Sequence, residues 1–325
     1  MSEALVDRFG RRIDYLRLSV TERCNMSCPY CAGAVRKPAL GALSDGETLA
    51  LVRELAALGI RRVRVTGGEP LLRPGLEELL SGLSEVPGVE DLSLTTNGLL
   101  LRGRCAALRR AGLRRVNVSL DTLRPERFRA VTGVDGLAAV RSALEEAAGG
   151  GLAPVKVNMV VMRGVNDDEV RDFALLTKAA PLHVRFIELM PVGGDPAFSR
   201  ARFVPLAETR AALGTLEPVP AAGRPSGGGP AQTFRLPGAA GTLGFIGAMS
   251  GSFCGSCNRL RLTSTGRLLS CLAENGEGAD LAALLRRGGD LRAAVRAVAA
   301  GKSERHRMGS PCSEQPSGRM CAVGG

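Results

Sequence analysis

The chain has 325 residues, 45% of them hydrophobic, enough for one large core with a smaller unit beside it. Its net charge of +11 is almost wholly arginine, because only Lys37, Lys156, Lys178 and Lys302 among the 43 basic residues are lysine. With 3% aromatics and no Trp, the stacking surfaces of single-strand binders are scarce, so the charge points to a small anionic substrate and away from nucleic acid. No apolar run approaches a membrane span and the first residues carry no signal pattern, which predicts a cytoplasmic protein.

Taken in order, the chain first alternates at Tyr15-Leu16-Arg17-Leu18-Ser19-Val20, predicting a strand over residues 14–20. Directly behind it stand Cys24, Cys28 and Cys31, spaced C-x3-C-x2-C. Thiolate is a soft ligand for zinc, copper(I) or iron–sulfur clusters. Structural zinc wants four N or S ligands, and no fourth Cys or His lies near these three. A [4Fe–4S] cube ordinarily takes four Cys, so three would leave one iron open. On this loop alone a zinc knuckle stays open as the alternative.

Further strands are expected over 60–66, 90–96, 114–120, 154–161 and 182–189, with helices near 45–58, 75–84, 102–111, 136–148 and 167–178. Ser44-Asp45-Gly46-Glu47 is a capping box, and Gly59 and Gly112 stand where helix C-caps belong. Six βα units in a row imply a parallel sheet with right-handed crossovers. Eight would close a barrel; six predict a partial (βα)6 barrel of TIM type. Polar and glycine residues gather at the strand ends, at Thr66–Pro70, Thr95–Gly98, Ser119–Asp121, Asn158 and Glu188–Met190, the face where such barrels keep their sites. Past Pro191 the pattern breaks. Residues 221–230 read as a flexible Gly/Pro-rich loop, 242–246 as a short strand, and 280–299 as one Leu/Ala/Arg helix. The expected division is 1–220 for the barrel and 221–325 for a second, smaller domain.

That second part carries Cys254, Cys257 and Cys271, again three thiols without a nearby His. A lone C-x2-C is ambiguous between zinc, redox and cluster roles. Beside the upstream set, a second three-thiol cluster is the better reading. Arg259 and Arg261 follow two apart, so an extended chain aims both to one face, where they would form a fork for phosphate. Taken alone in so Arg-rich a chain, two surface arginines on an edge strand are the favoured reading. Lys156 sits between Val155 and Val157, which face the other way; if its side is the lumen, an ammonium pointing there alone needs an anion. Nine cysteines, an odd count with six of them in two sets of three, make a poor disulfide framework.

The Cys24–Cys31 loop resembles the signature of radical S-adenosylmethionine (SAM) enzymes. Together with Thr66–Pro70, Leu94–Leu100, Asn117–Asp121, Val155–Asn158, Phe253–Leu272 and the terminal Gly324-Gly325, nearly the whole chain resembles the GTP 3′,8-cyclase family of molybdenum-cofactor biosynthesis. The resemblance implies a partial (βα)6 barrel with a C-terminal auxiliary iron–sulfur domain, a radical SAM lyase, and conversion of GTP to (8S)-3′,8-cyclo-7,8-dihydroguanosine 5′-triphosphate. It implies two [4Fe–4S] clusters, on Cys24, Cys28, Cys31 and on Cys254, Cys257, Cys271, with SAM as cofactor. It further implies SAM contacts at Tyr30, Gly68, Ser119 and Met190. GTP contacts are implied at Arg17, Arg64, Thr95, Lys156, Arg259, Leu260 and Arg261, with catalytic roles for Arg17, Gly324 and Gly325. Gly68 equally suits a plain turn, Met190 core packing, and Ser119 and Thr95 ordinary strand ends. Implied partners are a downstream cyclic pyranopterin monophosphate synthase, a flavodoxin or ferredoxin as electron donor, and a second copy in a homodimer, with no nucleic acid or membrane. Ala32-Gly33 departs from the family's usual Met-Pro, the next loop is shortened, and Cys105, Cys312 and Cys321 lie outside the family pattern. Two rivals stand beside this reading: another radical SAM enzyme, such as a peptide-maturing one, and a non-enzymatic basic zinc or nucleic-acid binder.

Overall fold

The computed structural model describes residues 4–31, 40–227, 229–273, 278–306, 308 and 320. The expected βα units are there: β1 (Tyr15–Ser19), α1 (Asp45–Ala57), β2 (Arg62–Thr66), α2 (Leu76–Ser84), β3 (Asp91–Thr96), α3 (Cys105–Arg110) and β4 (Arg115–Ser119). They continue through α4 (Pro125–Thr132), α5 (Leu137–Gly149), β5 (Lys156–Val161), α6 (Val170–Ala179) and β6 (His183–Glu188). The box at the start of α1 forms as read: Ser44 Oγ accepts from the Glu47 N–H, and the Glu47 carboxylate accepts from the Ser44 N–H. Such a cap contributes about 1 kcal/mol. Gly59 and Gly112 follow the C-caps of α1 and α3 with positive φ, where a side chain would be strained.

Then come α7 (Pro196–Ala201), α8 (Leu206–Ala211), β7 (Glu217–Pro218), β8 (Gln232–Arg235), β9 (Thr242–Ile246), β10 (Arg259–Leu262), β11 (Arg267–Leu269), β12 (Ala279–Asp280), α9 (Leu281–Arg286) and α10 (Leu291–Ala300). The sheet runs β12-β11-β10-β1-β2-β3-β4-β5-β6-β9-β8-β7. The six expected parallel strands are therefore flanked on both sides by parallel strands from the C-terminal part: β10 beside β1 and β9 beside β6. No pairing joins β9 to β10 among the described residues, so the wall stays open. The C-terminal part thus completes the same sheet.

Each central strand alternates. Leu16, Leu18, Val63, Val65, Leu92, Leu94, Val116, Val118, Val157, Met159, Val184 and Phe186 bury on one face, against the helices. The other face carries Arg17, Arg64, Ser93, Asn117, Asn158 and Arg185. Parallel strands covered on both sides usually read as continuous apolar runs. Alternation here means that one face lines a polar lumen.

Three expectations need correction. The helix expected over 280–299 is two, α9 and α10, because Gly288-Gly289 interrupts it and Asp290 caps the second piece by accepting from Ala293 N–H. The helix α4 was not foreseen. The loop at 221–230, expected to be flexible, reaches the floor of the lumen through its described residues: the Ser226 carbonyl accepts a hydrogen bond from Lys156 Nζ. Gly227, at φ +110°, lies where a Cβ would meet the Arg115 guanidinium at 2.5 Å. No helix among the described residues is long and apolar enough to cross a membrane.

Candidate active site

The lumen has two ends, and each holds one thiol set. Cys24, Cys28 and Cys31 follow the C-terminal end of β1; Cys254 and Cys257 precede the N-terminal end of β10, its neighbour. Cys271 follows β11, which runs antiparallel to β10 and so returns to that same end. All six thiols are free.

At the mouth, the loop carrying the first set is stitched to the loop after β2. Gly68 N–H donates to the Thr21 carbonyl at 2.8 Å, and Glu69 N–H to that of Arg23 at 2.7 Å. A Cβ on Gly68 would meet the Arg23 carbonyl oxygen at 2.4 Å, so this position must be glycine for the two loops to touch. Buried carboxylates then tie each mouth loop to the next. Glu69 accepts from Thr96 Oγ1 at 2.7 Å and from the Asn97 and Leu71 N–H groups; burial raises its pKa to about 7. Asp121 accepts from Tyr30 Oη at 2.5 Å and from Val160 N–H at 2.9 Å, and burial raises it to about 6. Glu169 accepts from Thr122 and Leu123, and Glu188 from Leu206, Met249 and Ser250. Half-buried Ser119 and Met190 close the mouth at the ends of β4 and β6.

Inside, like charges line up. Arg261, Arg17 and Arg64 occupy one rung across β10, β1 and β2. Burial, then Arg261, Arg64 and Arg259, hold the Arg17 guanidinium well below its ordinary pKa. Arg64 Nε donates to Ser93 Oγ at 3.3 Å and its guanidinium lies over the Tyr15 ring at 5.4 Å. Thr95 Oγ1 accepts from Asn117 at 3.4 Å. Arg259 stands over the Phe253 ring at 4.8 Å. Leu260, on the opposite face of β10, is wholly buried in the core, so only its backbone is available to a ligand.

Lys156 does point into this space, but not alone as expected. Asn158 shares its face, Arg185, Arg64 and Arg115 crowd it, and the Ser226 carbonyl partners it. Burial and then those arginines drop its pKa to about 6. Two further arginines were missed in the sequence. Arg185 donates to Asn158 Oδ1 and to Asn117 Oδ1, each at 2.8 Å, and Arg115 makes a bidentate pair with Asp91. The signal was available: both share the polar parity of their strands. Gly324, Gly325, Ala32-Gly33, Cys312 and Cys321 lie outside the described residues. Cys105 is buried on α3, against the Glu146 carboxylate.

The thiols fit iron–sulfur groups by their chemistry. Among the described residues no three Cys, His, Asp or Glu donors converge on a single-ion site. A cube is held by Cys thiolates, ordinarily four, so three thiols would leave one iron open. Burial, then Asp121, Cys31 and Cys24, push the Cys28 thiol well up, an arrangement that a bound cationic centre would relieve. At the other end Arg259 and Lys302 outweigh burial and draw the Cys257 thiol down to about 7.

The Radical SAM superfamily matches residues 18–177, and Molybdenum Cofactor Synthesis C matches residues 182–308. The GTP 3′,8-cyclase of Pelotomaculum thermopropionicum is 48% identical over 312 residues, 93% of this chain and 95% of that one. The GTP 3′,8-cyclase of Heliobacterium modesticaldum is 46% identical over 99% of this chain and 100% of that one. The chain belongs to the GTP 3′,8-cyclase family. A solved structure, SuiB of Streptococcus suis bound to S-adenosylmethionine, superposes with a TM-score of 0.60 at 17% identity, covering 87% of this chain and 68% of that one. At that identity it shows the fold alone, the radical SAM α/β architecture. For a member of the GTP 3′,8-cyclase family, use of SAM and an iron–sulfur cluster follows from that membership.

Proposed function

We infer that this chain is a radical SAM enzyme that converts GTP to (8S)-3′,8-cyclo-7,8-dihydroguanosine 5′-triphosphate, the first step of molybdenum-cofactor biosynthesis. One observation carries the substrate class. A rung of three arginines, with Arg185 and Lys156 further along the wall, faces a lumen bounded by two thiol sets. Guanidinium groups at this density suit a polyanion.

We propose two [4Fe–4S] clusters, one on Cys24, Cys28 and Cys31 and one on Cys254, Cys257 and Cys271. The first, when bound, supplies the electron that cleaves SAM and so the radical that takes the 3′ hydrogen of GTP. The chain's own residues have the remaining tasks. Tyr30, Gly68, Ser119 and Met190 hold SAM at the mouth, with Tyr30 steadied by its hydrogen bond to Asp121. Arg17, Arg64, Thr95, Lys156, Arg259, Arg261 and the Leu260 backbone hold GTP, with the triphosphate on the cations. Fixing both ligands in one lumen keeps the reacting carbon near the mouth and away from water. From the family resemblance we assign to Gly324 and Gly325 the orienting of Arg17 at the nucleotide. We take 1–220 and 221–325 as the two functional units. A cytoplasmic setting, a flavodoxin or ferredoxin donor, handover to a cyclic pyranopterin monophosphate synthase and a homodimer complete the proposal.

The test is anaerobic reconstitution with iron and sulfide, then dithionite, SAM and GTP, with analysis of the nucleotide product. Cyclised nucleotide formed only in the presence of SAM is expected. Intact GTP beside a zinc-loaded protein would overturn the reading, and maturation of a peptide without any action on GTP would favour the nearer rival.

A further inference from the structure

Behind the second thiol set lies a cation that neither substrate nor cofactor contacts in the reading above. Lys302 follows α10 and is 2% exposed. Its Nζ donates to the Ser270 carbonyl at 2.5 Å and to the Arg259 carbonyl at 3.1 Å. Ser270 immediately precedes Cys271, and Arg259 stands two residues after Cys257. One ammonium therefore clamps the backbones that carry two of the three thiols. No carboxylate lies within ion-pair distance of it among the described residues.

Arg11 offers a contrast. It also reaches this region, donating to the carbonyls of Cys254 at 2.7 Å and Ser303 at 2.8 Å. Its charge, however, is matched by the Asp7 carboxylate at 2.5 Å. Arg11 with Asp7 is a neutral brace; Lys302 brings a full buried charge. Such a charge is costly unless an anion stands close. Three thiolates around a dicationic cube leave the group anionic, and reduction adds a further negative charge.

We propose that Lys302 is a positioning residue for the second cluster, holding Cys257 and Cys271 in place through their backbones and raising the cluster's reduction potential by its charge. The proposal rests on a cluster at Cys254, Cys257 and Cys271. A positive neighbour favours the reduced, more negative state, so removing it lowers the potential.

The test uses full-length protein with Cys24, Cys28 and Cys31 changed to Ala, so that only the second cluster is read. Lys302→Met and Lys302→Gln are each compared with Lys302→Arg and with the double variant Asp7→Asn/Arg11→Gln, which removes the neutral brace. Potentiometric titration followed by electron paramagnetic resonance should give a more negative midpoint for Met and Gln, and the parent's value for Arg and for the double variant. Iron loss to a chelator should quicken by roughly 10- to 100-fold in Met, the scale of lost outer-shell support at metal sites, and less in Gln. If Met fails to fold, Gln, which still offers donors to the two carbonyls, carries the same expectation for the midpoint. Iron bound with an unchanged midpoint in the folded uncharged variants would overturn the role of Lys302. An equal shift in the double variant would assign the effect to loop distortion and overturn it too. A parent protein that binds no iron at these thiols would overturn the cluster reading first.

Discussion

Arg17 and Arg261 occupy the same rung of adjacent parallel strands, so two guanidinium groups stand side by side on the lumen face. An arginine does not give up its proton in a protein. Burial and then the repulsion from Arg261 lower the Arg17 pKa, and both are therefore borne as instability of the free enzyme, to be relieved when an anion arrives.

Changing Arg261 to Gln should act in opposite directions on stability and on binding. Loss of one like charge should raise stability by about 1 kcal/mol, a gain of about 2 °C in melting temperature for a protein of this size. Loss of a charge-assisted hydrogen bond to phosphate should weaken GTP by about 10- to 150-fold. Calorimetry and thermal melts on the one variant check both signs; a variant both less stable and equally tight for GTP would contradict the lumen assignment.

Lys156 should take up a proton when GTP binds. Its pKa stands at about 6 in the free protein, so at pH 7.5 it is mostly neutral, and a neighbouring phosphate raises it. Binding enthalpies measured in buffers of different ionisation enthalpy should report uptake approaching one proton at pH 7.5 and little at pH 5. Lys156→Met should abolish the uptake. The same shift has a consequence for folding. Between pH 6 and the unfolded value of 10.5 the unfolded chain binds the extra proton, so this group's contribution to stability rises with pH across that window.

Gly68→Ala should separate the two ends of the lumen. The added methyl falls 2.4 Å from the Arg23 carbonyl oxygen and 2.6 Å from that of Glu22, backbone atoms that cannot swing aside. The Cys24 loop must shift. About half the iron and all SAM cleavage should be lost, while the second thiol set keeps its iron and far-ultraviolet circular dichroism is unchanged. Iron analysis decides it, and full loading with normal SAM cleavage would contradict the described contact.

Much of this was legible in the sequence because the six central strands are short β-branched runs with strict alternation, and their ends fall within two residues of the expected bounds. The helix α4 was not legible. Pro-Glu-Arg-Phe-Arg-Ala-Val-Thr is short and Arg-rich, and only Pro125 at its start and Gly133 behind it announce it. The single helix expected over 280–299 failed because Leu/Ala/Arg periodicity outweighed the Gly288-Gly289 break. What the sequence hid was long-range. Ser226 meets Lys156 across 70 positions and Lys302 meets Ser270 across 32, and no local pattern signals either contact. The parity that would have found Arg115 and Arg185 was visible, but parallel strands are ordinarily read as apolar on both faces.

Deleting Gly324 and Gly325 should abolish cyclised product while leaving both clusters, SAM binding and most GTP affinity in place. Adding the terminal peptide in trans at about millimolar concentration, the range a short tether supplies, should restore part of the activity. A truncated enzyme turning over at the full-length rate would remove the tail from the account.

The central claim is that the lumen holds GTP with its ribose facing the SAM end. The direct measurement is turnover of GTP deuterated at C3′ by the reconstituted full-length enzyme, with mass analysis of the 5′-deoxyadenosine released. The account predicts one deuterium transferred into 5′-deoxyadenosine, with SAM cleavage dependent on GTP. SAM cleavage at the same rate without GTP, or 5′-deoxyadenosine free of deuterium, would contradict it.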